Sequence, residues 1–130
     1  MEETLELMLT GGKDAPARAR FALSGLNGSL AGLRQSVRLL VSELVANAVK
    51  HGAADRDGNV WLRLTSSPDR VRVEVADQGP GFQPPSEPID PLEHGFGLVL
   101  VDELADRWGV AAENGAKVWF EIDRAQAHPA

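Results

Sequence analysis

The sequence predicts an α+β domain: a two-layer α/β sandwich whose mixed, mostly antiparallel sheet carries helices on one face. Three observations point there. Two segments alternate apolar and polar residues around a tight turn, one long stretch has helical periodicity, and no regular strand-helix-strand alternation of the kind that builds parallel sheets occurs. The 130 residues, 43% hydrophobic and 25% charged, suit a single domain over 1–130 with a real but modest core. No internal repeat and no linker divides it.

The elements follow in order. "TLELMLT" alternates like a short strand, "GGKD" ends it, and Pro16 opens a helical stretch through about Leu26. "NGSLAGL" is a loop without obvious chemistry. From about Leu33 to His51, apolar Val37, Val41, Leu44, Val45 and Ala48 recur with helical period, and Gly52 suits a left-handed stop. "NVWLRLTSSPDRVRVEVAD" is an antiparallel hairpin turning at Ser-Ser-Pro-Asp. The Gly- and Pro-rich "QGPGFQPPSEPIDPLEHGFG" is irregular, "LVLVDELADRW" fits a helix, and "RWGVAAENGAKVWFEI" is a second hairpin around Asn-Gly. The tail "AQAHPA" reads as frayed. Trp61, Trp108 and Trp119 read as packing or interface aromatics, since no basic patch surrounds them.

Charge and composition narrow the function. A net charge of −6 and a pI near 5.0 argue against a phosphate-backbone binder, so direct contact with nucleic acid is not expected. Without cysteine there is no disulfide framework and no thiolate chemistry, which fits a reducing compartment. "MEETLELML" lacks the positive flank of a signal peptide, and no apolar run reaches membrane-spanning length. A cytoplasmic protein is the expectation.

Three short motifs carry the candidate chemistry. In "SELVANAVKHG", Glu43, Asn47 and Lys50 fall within roughly 60° of helical arc, with His51 adjoining. That edge is either an ordinary solvated one, with Lys50 and His51 complementing the helix dipole, or the rim of a cleft. Asn47 fits the first reading poorly, because Lys or Glu would serve a wet helical surface better. In the strand "VRVEVAD", Val71, Val73 and Val75 share one face, and Asp77 continues their parity. There a carboxylate either starts the turn "DQGPG" or meets a partner, since an unpaired buried charge is costly. The partner could be a ligand amine, with Gly79 and Gly81 letting backbone approach a flat ring. In "HGFGL", Gly95 and Gly97 lead through Leu98 into a helix, as a plain junction or as free N–H groups suited to phosphate. Neither glycine pair forms a dinucleotide fingerprint, and no P-loop is present.

Taken together and in this order, "ELVANAVKHG", "DQGPG", "HGFGL", "LVDELADRWGV" and "VWFEI" resemble the GHKL ATPases. This is the Bergerat-fold superfamily of gyrase, Hsp90, histidine kinases and MutL. The chain is most similar to the anti-sigma-factor serine kinase branch, the SpoIIAB-like and RsbW-like proteins. The resemblance implies ATP and Mg²⁺ as ligands, with Asn47 on the metal and Glu43 as general base. It implies Asp77 at the adenine amino group, Gly79 and Gly81 beside the base, Gly95, Gly97 and Leu98 bordering the phosphates, and Lys50 and His51 near them. A sigma factor and a STAS-type anti-sigma antagonist are the implied partners, and a homodimer through the sheet side and first strand the implied assembly.

Two positions depart from the family pattern. Phe96 stands where the lid commonly has Arg, which takes a cation from the γ-phosphate. Ala116-Lys117 stands where the last hairpin often has Thr near the adenine. Phe96 keeps open a second reading, an ATP-responsive binding module without catalysis. A split histidine kinase would need a phosphoacceptor helix, which this sequence lacks.

Overall fold

The chain opens with strand β1 (Glu3–Thr10), whose inward Leu9 is 5% exposed while outward Met8 is 51% exposed. A computed structural model describes residues 2–10, 12–26, 30, 32–51, 59–77, 97–111 and 116–124. Gly12 turns the chain at φ +125°, a backbone state L side chains rarely adopt, and the Ala15 N–H donates to its carbonyl at 3.0 Å. Helix α1 (Ala15–Leu23) then starts with Pro in its first turn, where the missing N–H is no loss. Its Ala15, Ala19 and Leu23 are fully buried, and one 3₁₀ turn (Ser24–Leu26) follows.

Helix α2 (Arg34–His51) is the longest element. Val37, Leu40, Val41, Leu44, Val45 and Ala48 form its buried stripe, at the three- and four-residue spacing that one helical face requires. The stripe lies on β2 (Asn59–Ser66) and β3 (Arg70–Asp77). The sheet is completed by β4 (Arg107–Ala111) and β5 (Ala116–Asp123), in the order β1-β2-β3-β5-β4. All four pairings are antiparallel, so the sheet of the described residues has no parallel pair and is simpler than the mixed one expected.

Helix α3 runs only from Gly97 to Leu104, shorter than the helix expected over "LVLVDELADRW". Arg107 and Trp108 instead pair with Glu121 and Phe120, because a strand there lets the indole reach the core. The helices lie on the valine face as expected: Val71 and Val73 are fully buried and Val75 is 3% exposed. The buried parity of β2 ends on Ser66, 4% exposed, whose hydroxyl accepts from Arg124 Nη2 at 2.7 Å. That bond offsets the cost of an inward hydroxyl. No helix among the described residues is long and apolar enough to cross a membrane.

Candidate functional site

Glu43 and Asn47 are half-buried, one turn apart beside the buried stripe of α2. On the opposite flank α2 meets α1, where Arg20 Nη1 donates to the Ser42 hydroxyl at 2.7 Å. Asn47 lies roughly 140° around the helix from Ser42, and α3 is the other helix α2 packs against. The polar edge picked out in the sequence is half-buried on a helix that packs against both α1 and α3. Val37, Leu40, Val41 and Leu44 hold it there by filling the layer beneath.

Asp77 is the last residue of β3, paired with Val60 on one side and Ala116 on the other. Gly97 is the first residue of α3 and Leu98 the second. Lys50 and His51 form the end of α2. Of these last residues only the backbone is described. Gly79, Gly81, Gly95 and Phe96 lie outside the described residues. The fold thus packs α2, which carries Glu43 and Asn47, against α3, which begins at Gly97; the groove between these two helices is the candidate site, and Asp77 ends the central strand of the sheet.

A cation in this groove would have few protein ligands. Among the described residues there is no group of three or more His, Cys, Asp or Glu side chains that could hold a metal. An amide oxygen from Asn47 beside the Glu43 carboxylate fits Mg²⁺, a hard ion that keeps waters and takes its remaining ligands from substrate phosphates. Such a donor set binds metal together with a polyphosphate and poorly without one.

Sequence reasoning missed one contact near this groove. Trp108 Nε1 donates to Asp102 Oδ1 at 2.9 Å, joining β4 to α3 across a spacing of six residues. No short-range pattern announces it, because the spacing spans a helix end and a strand start.

The displaced titrations lie elsewhere, on the open face of the sheet. A hydrogen bond from Arg107, assisted by one from Arg72, holds Glu121 below the usual carboxylate range against the opposing effect of burial. Arg107 does the same for Asp123. A cleft of about 410 Å³ on that face is lined by Arg63, Arg72, Glu74 and Glu121 among others. Arg72 is already bound there to Glu74 at 3.0 Å and Glu121 at 2.8 Å.

Comparison with known proteins identifies the family. The sequence profile of the histidine kinase-like ATPase domain matches residues 15–122, which include every candidate residue named above. The serine-protein kinase RsbW of Bacillus licheniformis is 34% identical over 97 residues, covering 65% of this chain and 61% of that protein. RsbW of Bacillus subtilis (strain 168) is also 34% identical, with the same coverage. RsbW of Staphylococcus aureus (strain MRSA252) is 27% identical over 137 residues, covering 90% of this chain and 84% of the relative. The chain therefore spans 61% of the length of these Bacillus relatives. Among solved structures, the histidine kinase domain of the Erythrobacter litoralis EL346 blue-light activated histidine kinase superposes with a TM-score of 0.59 at 25% identity. That match covers 87% of this chain and 61% of the kinase chain.

Proposed function

The chain belongs to the histidine kinase-like ATPase family, the GHKL group, and on that premise we propose that it is an ATP- and Mg²⁺-dependent protein serine kinase. Its partners would be a sigma factor, which it holds, and a STAS-type antagonist, which it phosphorylates. Support comes from the serine-protein kinase names of its relatives and, above all, from one observation. Glu43 and Asn47 sit half-buried one turn apart on α2, and α2 packs against α3, whose first residue is Gly97.

In this reading the bound Mg-ATP supplies an electrophilic γ-phosphorus with its charge partly neutralised. Asn47 would hold the metal through its amide oxygen, and Asp77 would accept from the adenine amino group with Gly79 and Gly81 beside the ring. Gly95, Gly97 and Leu98 border the phosphates near Lys50 and His51. Glu43 takes the proton of the attacking serine hydroxyl as the new oxygen–phosphorus bond forms and the β–γ bridge breaks. Little further covalent chemistry is required, since phosphoryl transfer rests mainly on positioning and charge stabilisation. A homodimer through the open sheet face and β1, in a cytoplasmic setting, completes the proposal.

Transfer of labelled phosphate from ATP to a STAS-type antagonist tests it. Glu43→Ala is expected to abolish transfer while sparing Mg-ATP binding, and Asp77→Ala to abolish binding as measured by calorimetry. Retained transfer by Glu43→Ala removes that residue from the base role. Phe96, in place of a lid Arg, favours a second reading: a nucleotide-responsive binding module. Tight ATP binding without phosphorylation of any antagonist would select it.

A further inference from the structure

The helix whose start would border the phosphates in the proposed reading is short. α3 has eight residues, about 12 Å of helix, and among its described side chains only Val101 is fully buried. Leu100 and the following Ala105 are partly buried against the core, whereas Asp102, Glu103 and Leu104 are exposed. One buried side chain fixes the position of a short rod better than its angle.

The angle has a separate restraint. Trp108 lies in β4 opposite fully buried Phe120 and packs against the core. Its indole N–H reaches back to the Asp102 carboxylate at 2.9 Å, a charge-assisted bond stronger than a neutral one. Between the two residues the elbow is tied to β5: the Asp106 N–H donates to the Glu121 carbonyl at 2.8 Å, and the Asp106 carboxylate accepts from the Asp123 N–H at 2.6 Å. The C-terminal end of α3 is thus anchored to the sheet, and the Asp102 link sets how the rest of the helix leaves that anchor. A rotation of about 10° at the elbow would carry the Gly97 end by roughly 2 Å. A misplacement of about 1 Å in an enzyme site can cost on the order of a hundredfold in rate.

We propose that Asp102 and Trp108 are positioning residues for the triphosphate: their hydrogen bond fixes the tilt of α3 and hence the place of its Gly97 end beside the α2 groove. The inference rests on the nucleotide-site reading above and adds a determinant of ATP affinity that touches no ligand. Trp108→Phe keeps most of the ring and loses the donor. Asp102→Ala loses the acceptor at an exposed position, and Asp102→Asn keeps an acceptor oxygen in place.

The test is equilibrium titration of the full chain and these three variants with Mg-ATP and, separately, with adenosine. Trp108→Phe and Asp102→Ala are expected to weaken Mg-ATP binding by up to about tenfold, adenosine binding by less than about twofold, and Asp102→Asn to remain near the wild type for both. A merely structural contact would lower the melting temperature and leave the ratio of the two affinities unchanged, and that result overturns the positioning role. Wild type binding neither ligand brings down the nucleotide site itself. Wild type binding Mg-ATP, with Trp108→Phe and Asp102→Ala binding it equally well, brings down only the present inference. Should Trp108→Phe fail to fold, Asp102→Ala decides the matter alone.

Discussion

The two faces of the sheet are built by different physics from the same strands. On the helix side, Val60, Leu62, Leu64, Val71, Val73 and Phe120 are all buried to within 0% exposure, and their contribution is non-directional, scaling with apolar area removed from water. On the open side, Arg72 bridges Glu74 and Glu121, Arg107 bridges Glu121 and Asp123, and Trp119 lies beneath the Arg72 guanidinium at 4.5 Å. These interactions depend on register and, for Arg72 with Glu121, on partners two strands apart in the chain order. Stability therefore resides mainly on the covered face, and the open face contributes shape and charge. The candidate groove belongs to the covered side, where packing can hold Glu43 and Asn47 in place.

The largest expected effect comes from cutting into the covered face. Phe120→Ala removes a fully buried ring at the centre of the core, opposite Val73 and Trp108, and should cost about 3–5 kcal/mol in urea unfolding. A loss below about 1 kcal/mol would mean that the two faces are not so unequal. The open face is expected to resist less strongly, with one exception set by space. A Cβ at Gly109 would meet the Trp119 indole at 2.8 Å, and that ring is backed by Arg72. Gly109→Ala should cost about 1–3 kcal/mol by overpacking, while Gly109→Ala combined with Trp119→Ala should recover part of it.

The same contrast decides what the sequence disclosed. Period-two alternation in "NVWLRLTS" and "VRVEV" names the covered face without knowledge of neighbours, because every inward residue meets the same apolar layer. The α2 edge was legible for a similar reason: Glu43 and Asn47 declare their common flank through spacing within one helix. Arg72-Glu121 and Trp108-Asp102 were not legible, since each needs a pairing register or the end of a helix to be known first. The length of α3 was misjudged on the same ground. "RW" fits both the end of that helix and the start of the second hairpin, and the ladder opposite Glu121 and Phe120 decides for the strand. The resemblance placed Gly79, Gly81, Gly95 and Phe96, which lie outside the described residues, so those assignments stand on motif order.

The smallest effect should come from the charges of the open face themselves. Glu121 accepts from Arg72 and Arg107, both at 2.8 Å, yet those guanidinium side chains are 34% and 42% exposed. Water and salt screen the attraction, so Glu121→Gln should cost no more than about 1 kcal/mol at low ionic strength and less in 1 M salt, where the screening length is about 3 Å. Its pH dependence has a definite sign. Glu121 and Asp123 are held below their ordinary values by Arg107, so the folded state binds protons less readily than the unfolded chain. The stability they supply is present above the unfolded carboxylate values near about 4. It is lost as pH falls through that range toward the folded values. Wild-type melting temperature should therefore drop more steeply between pH 5 and pH 3 than that of Glu121→Gln, with the two curves converging at the acid end. Parallel curves across that range would show that Glu121 titrates alike in the folded and unfolded chain, and the open face would then owe nothing measurable to its central carboxylate.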